Sequence, residues 1–172
     1  MSYASITSEQ SSKIFQLVAI DSKLKRLHMT DIDLSSVDPE ILSRSVSKIE
    51  EVDLCNTNLT SLQIKRIFRF NNTESKLRSL TIRGNDLSQV NPKTLGNAIA
   101  MMKNVDVSNT NLVNKQYEEI FKCLDTKCNL KRLNLDDCWG NLPLHILDPG
   151  TKSRVVAKIE INYNCFYEEF DK

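Results

Sequence analysis

The stretch Val52–Phe68, VDLCNTNLTSLQIKRIF, returns 53 residues later as Val105–Phe121, VDVSNTNLVNKQYEEIF. Working outward from that pair, residues 24–76 and 77–129 align without a gap and agree at 18 of 53 positions. An internal repeat of this length takes precedence over local propensity, because each copy must bury its apolar face against its neighbour.

The unit is itself double. The pattern L-x-x-L-x-L-x-x-N-x-L recurs about every 25 or 28 residues. It reads Leu24, Leu27, Met29, Ile32, Leu34; then Ile49, Val52, Leu54, Thr57, Leu59; then Leu77, Leu80, Ile82, Asn85, Leu87. It continues with Met102, Val105, Val107, Thr110, Leu112, with Leu130, Leu133, Leu135, Cys138, and with a degraded Val156, Ile159, Ile161, Asn164, Phe166. Alternation such as Val52, Leu54 predicts short strands with one face buried, and each is followed by apolar residues at helical spacing. Ile64, Ile67, Phe68 and Tyr117, Ile120, Phe121, Leu124 are examples. Asp38-Pro39 and Asn91-Pro92 predict helix starts with a capping side chain before a proline, and Thr60 with Gln63 has capping-box spacing. Val113 stands where the later copy needs that threonine, so its cap is expected to weaken or shift to Asn114.

A strand and a helix per repeat cannot bury their faces alone, whereas a stack of them can. Helices need more lateral room than strands, so the stack curves with strands inside. The pattern resembles that of leucine-rich repeats. The helix after each strand makes it similar to the ribonuclease-inhibitor-like subclass, which alternates two repeat types and supplies the tails of NOD-like receptors. The resemblance covers nearly the whole chain. It implies an α/β fold: a leucine-rich repeat solenoid, or horseshoe, with about six parallel strands on the concave face and helices on the convex face. The repeats are short for the subclass, and only Asn85 and Asn164 keep the asparagine. Thr57, Thr110 and Cys138 can still bond to turn backbone, but Ile32 cannot, so the first turn is expected to be less regular.

The whole chain, 1–172, reads as one domain. Residues 1–23 form a partial N-terminal repeat with a helix and no strand before it, 24–137 the regular repeats, and 138–172 a C-terminal capping region broken by Trp139, Gly140, Pro143 and Pro149.

A formal charge of +1 with scattered Lys and Arg argues against nucleic acid, and no apolar run approaches the roughly 18 residues of a membrane span. Five cysteines without a secretion signal read as reduced thiols in the cytoplasm, with the nucleus as the other compartment. Cys123 and Cys128 are expected to be buried and structural, and no metal or cofactor site is expected. Neither a nucleophile with a base nor a glycine-rich phosphate loop stands out, so the chain reads as non-enzymatic.

The expected site is the concave strand face, which would bind another, unidentified protein. Its candidate residues are Arg26, His28, Glu51, Asp53, Thr81, Arg83, Asp106, Arg132, Asn134 and Asp136. Thr30, Cys55, Ser79, Asn104 and Ser108 share that face, and cross-strand spacing sets Arg26 beside Glu51 and His28 beside Asp53. A C-terminal rim with Tyr163, Phe166, Tyr167 and Phe170 is a further contact region. Two other readings are kept open. Ran GTPase-activating proteins share the architecture and use an Arg and an Asn near repeat turns, which Arg83 and Asn85 would match. The uncapped N-terminal edge, strand Leu24–Thr30, would let the chain form a homo-oligomer, as a fragment of a larger receptor-like array would.

Overall fold

The computed structural model describes residues 6–20, 23–70, 75–126, 128–136 and 159–162. Among the described residues helices and strands alternate from α1 to β5, and β6 follows: α1 Ser8–Ile20, β1 Arg26–His28, α2 Pro39–Ser47, β2 Glu51–Asp53, α3 Ser61–Phe70, β3 Ser79–Thr81, α4 Pro92–Met101, β4 Asn104–Asp106, α5 Asn114–Thr126, β5 Arg132–Asn134 and β6 Glu160–Asn162. The strands form one parallel sheet in chain order, β1 to β6, and the helices pack on one another behind it. This is the α/β architecture, a parallel sheet with helices behind it, that the resemblance to leucine-rich repeats implies. No helix among the described residues is long and apolar enough to cross a membrane.

Each strand is three residues long because only its central residue, Leu27, Val52, Leu80, Val105 or Leu133, points inward. These residues join Leu54, Ile82 and Val107 in a continuous core with Ile64, Phe68, Ile99, Tyr117 and Ile120 from the helices. Both proline-led helices start as predicted. Asp38 accepts from the N–H groups of Glu40 and Ile41, and Asn91 from that of Thr94. The cap of α5 does not move to Asn114. The Val113 N–H donates to Gln116 Oε1 at 2.9 Å, so half of the capping box survives the missing hydroxyl.

Two kinds of corner alternate. After β1 and β3, only Asp31 and Gly84 take left-handed backbone, with φ of 57° and 72°. Asp33 and Asp86 then accept from the N–H two residues on, forming Asx turns that lead to the proline. After β2 and β4, two asparagines per corner are left-handed, Asn56 with Asn58 and Asn109 with Asn111. The N-T-N sequence suits this, since Asn tolerates that region better than other residues with a side chain.

The asparagine position bonds backward to the preceding rung. Asn85 Nδ2 donates to the Leu54 and Ile82 carbonyls at 2.8 and 3.1 Å, while its Oδ1 accepts from the Leu59 N–H at 2.9 Å. Thr57 and Thr110 bond to their own turn, at the Leu54 and Val107 carbonyls, and Thr57 also donates forward to Asn85 Oδ1 at 3.4 Å. The corner at Ile32 is nevertheless regular, contrary to expectation. Asp31 and Leu34 donate to the Cys55 and Thr57 carbonyls at 2.9 Å each, as their counterparts do in later rungs. Among the described residues no rung lies outside β1, so a side chain at 32 has no preceding carbonyl to reach.

Gln63 and Gln116 are the main cross-rung links. Both are buried. Gln63 Nε2 donates to the Leu34 and Val37 carbonyls at 2.8 and 2.7 Å, and Gln116 Nε2 to those of Leu87 and Val90 at 2.7 and 2.8 Å. One amide thus caps its own helix and ties the previous corner to it. At the first rung, Lys48 Nζ reaches the Ala19 and Ile20 carbonyls, closing the C-terminal end of α1 where a cation is favoured. Apart from 159–162, the expected capping region 138–172 and its aromatic rim lie outside the described residues.

Candidate functional site

The residues flanking each inward strand centre form two polar rows across the sheet. Register aligns Arg26, Glu51, Ser79, Asn104, Arg132 and Glu160 in the first row. The second row holds His28, Asp53, Thr81, Asp106 and Asn134, with neighbours about 4.8 Å apart. Eight of the ten predicted site residues lie in these rows, and Arg83 and Asp136 follow just beyond the strand ends.

The first row is neutralised at both ends. Arg26 Nε stands 3.0 Å from Glu51 Oε2, and Arg132 Nε 2.9 Å from Glu160 Oε2. All four side chains are well exposed, so each pair contributes only about 0–1 kcal/mol. Glu160 was absent from the candidate residues, although the alternation Ile159, Glu160, Ile161 marks it as outward. Between the ends lie uncharged Ser79 and Asn104.

The second row is more rigid. Asp53 and Asp106 each give one carboxylate oxygen to the backbone two residues on, accepting from the Cys55 and Ser108 N–H groups at 3.0 and 2.9 Å. Asn134 does the same for Asp136 at 3.1 Å. This local closure fixes the rotamer and aims the other side-chain group along the sheet. His28 Nδ1 lies 3.6 Å from Asp53 Oδ2, and Asn134 Nδ2 donates to Asp106 Oδ2 at 3.0 Å.

Beyond the strands, Ser108 is not exposed as expected. It is buried, and its hydroxyl donates to Asp106 Oδ1 at 2.6 Å. Arg83 is exposed and forms no ion pair among the described residues. It stands on β3's corner, between the strands that carry Asp53 and Asp106. Asn85 cannot act with it on a bound nucleotide: its amide is buried and committed to the Leu54, Ile82 and Leu59 backbone.

Cys55, Cys123 and Cys128 are free and half-buried rather than buried. Burial pushes the Cys55 thiol up, helped by the Asp53 charge and opposed by Arg83. Burial also raises Cys123, whose thiol donates to Asn97 Oδ1 at 3.3 Å. Among the described residues no group of three or more His, Cys, Asp or Glu is placed to hold a metal ion. What this face can do is present fixed hydrogen-bond acceptors, and in Arg83 a guanidinium with no ion pair among the described residues, to a large surface.

A family model for the leucine-rich repeat matches residues 76–98, the rung that carries β3, its Asn85 corner and most of α4. No curated protein matches the chain.

Proposed function

We propose that the chain is a non-enzymatic interaction module that binds another protein through the middle of its concave strand face. The observation that carries this reading is the contrast along the sheet. Charges at the ends neutralise one another, whereas the centre holds Asp53 and Asp106 fixed by their own backbone around the unpaired Arg83. Groups held in place before binding lose little entropy on binding, and arginine is a frequent hot spot. The same features suit the ribonuclease-inhibitor-like subclass, whose two repeat types correspond to the two alternating corners. Half-buried free thiols favour a cytoplasmic or nuclear setting.

Arg83→Glu and Asp53→Lys test the reading, with Arg44→Glu on the helical side as control. Proteins captured from a native lysate by the wild type should be lost with both strand-face variants and kept with the control. Capture unchanged by Arg83→Glu and Asp53→Lys rules the strand face out.

A second reading, self-association through the N-terminal edge, is favoured by Gln10. Thr7 and Gln10 form the same capping box as Thr60 and Gln63, with Thr7 N–H on Oε1 at 2.8 Å, yet Gln10 is exposed. Ile6, Leu17, Ile20 and Leu24, exposed by 37%, 69%, 78% and 42%, surround this end. Light scattering of the concentrated protein should then show dimers that Leu17→Lys with Ile20→Lys dissociates. A monomer throughout removes this reading.

A further inference from the structure

The five helices described behind the sheet do not pack evenly. α4 lies along α5, because Gly96 lets the two backbones approach: a Cβ there would sit 2.7 Å from the Glu119 carbonyl oxygen. α2 likewise packs on α3, whereas α3 and α4 meet over a short stretch. At that seam, on the rim where β3's corner enters α4, there is a groove of about 440 Å³. Buried Val90 lies beneath it beside Pro92, and Val113, 45% exposed, adds apolar surface. Lys65 and Arg69 come from α3 and Lys115 from the first turn of α5, with no carboxylate in the lining. None of the three cations forms an ion pair among the described residues. The carboxylate nearest in sequence to the Ser88–Pro92 turn, Asp86, is engaged by the Ser88 N–H.

The doubled sequence supplies an internal comparison. Fifty-three residues earlier, Lys65, Arg69 and Lys115 correspond to Ser12, Gln16 and Leu62, and Asn91 to Asp38. The lining positions thus carry three positive charges in one copy and a single negative charge in the other. Stacking does not require the cations, since the earlier copy builds the same rung without them. Helix capping does not require the loss of the acid either, because Asp38 caps its helix with two N–H bonds and Asn91 with one.

We propose that this groove docks an acidic protein segment carrying leucine-type side chains beside its carboxylates. Three unpaired cations on two helices fit spaced carboxylates, and the Val90, Pro92 and Val113 surface fits an apolar residue between them. The volume lies in the range of roughly 300–1,000 Å³ typical of specific clefts. Nucleic acid fits less well, because the lining has no aromatic ring for base stacking and the chain's formal charge is only +1. This site is separate from the strand face and does not depend on that reading.

The probe is a fluorescein-labelled peptide, EELEDLEELD, titrated against the whole chain by fluorescence anisotropy. Binding should weaken with salt, and it should fall roughly 10- to 100-fold in Lys65→Glu/Arg69→Glu/Lys115→Glu, about a factor of two to five per exposed contact. Lys115→Glu alone serves if the triple variant misfolds. The glutamine version of the peptide should not bind, and Asp53→Lys on the strand face should leave binding within about twofold, since it lies apart from the groove. The proposal is overturned if the triple variant binds the peptide as well as the wild type does. It is overturned equally if phosphatidylserine vesicles or single-stranded RNA bind through these three residues while the peptide does not.

Discussion

Gln63→Glu and Gln10→Glu are the same chemical change at equivalent positions, 53 residues apart, and the structure predicts opposite consequences. A glutamate keeps the acceptor that completes a capping box, so the helix start is preserved in both. At residue 63 the change turns the donor facing the Leu34 and Val37 carbonyls, 2.8 and 2.7 Å away, into an anionic oxygen. Leu34 retains the Val37 N–H at 2.9 Å, but Val37's carbonyl loses its bond inside the stack. Two lost hydrogen bonds at about 1 kcal/mol each and an orphaned carbonyl at about 1–3 kcal/mol give about 3–5 kcal/mol, with the buried charge pushing toward the upper end. For a chain of this size that lowers the melting temperature by roughly 6–20 °C. The glutamate's own pKa would be raised in the folded state. Its cost is therefore full above the folded pKa and shrinks as pH falls toward about 4.3, the unfolded value. At residue 10 the amide is exposed and its Nε2 meets no carbonyl among the described residues, so Gln10→Glu should change stability by no more than about 0.5 kcal/mol, if anything upward through the helix dipole. Urea unfolding followed by circular dichroism at pH 7 and pH 5 separates the cases. Equal midpoints for the two variants would refute the claim that the buried amide links the rungs.

Gly96→Ala gains about 1 kcal/mol in helix propensity but forces a Cβ against the Glu119 carbonyl and carbon at 2.7 and 2.9 Å. Backbone cannot rotate away, so a net loss of about 2 kcal/mol is expected in the same urea assay. Ser11→Ala should be neutral or stabilising by up to about 1 kcal/mol, since the buried Ser11 hydroxyl has no hydrogen-bond partner among the described residues. Breaking the exposed Arg26–Glu51 pair, by Arg26→Ala and Glu51→Ala in a double-mutant cycle, should give a coupling below about 1 kcal/mol. The Cys55 and Cys123 thiols, raised by burial, carry less thiolate at pH 8 than an unperturbed cysteine. Iodoacetamide labelling read by mass spectrometry should therefore be slow in the native protein and accelerate on unfolding.

The sequence made legible whatever repeats at close range. Strand centres such as Val52 and Leu80 follow from period-two alternation, and the caps at Asp38 and Asn91 from the proline beside them. The pairs Arg26–Glu51 and His28–Asp53 follow from register alone, because parallel strands in chain order align equivalent positions. What it concealed depends on partners remote along the chain. Thr60-x-x-Gln63 shows the capping half of Gln63, but its amide donates to residues 26 and 29 positions away. Gly96 has no local reason to be glycine; the atom that excludes a Cβ is on the next helix. Ser108 sits in an outward register position, yet its bond to Asp106 draws it in.

The two corner types also explain why the chain can diverge in one place and not in another. Each N-T-N corner leads into a T-x-x-Q or V-x-x-Q helix whose glutamine must meet the carbonyls of the preceding corner. That requirement binds rungs into pairs, β1 with β2 and β3 with β4, and their helices α2 with α3 and α4 with α5. Positions inside a pair answer to buried hydrogen bonds, which is why Gln63, Leu34 and Val37 reappear as Gln116, Leu87 and Val90. The α3–α4 seam between pairs is not held by such a glutamine, so side chains on its rim are free to change without unstacking the solenoid. Lys65, Arg69 and Lys115 stand there. Charge that packing neither demands nor forbids is the kind most readily set by a partner.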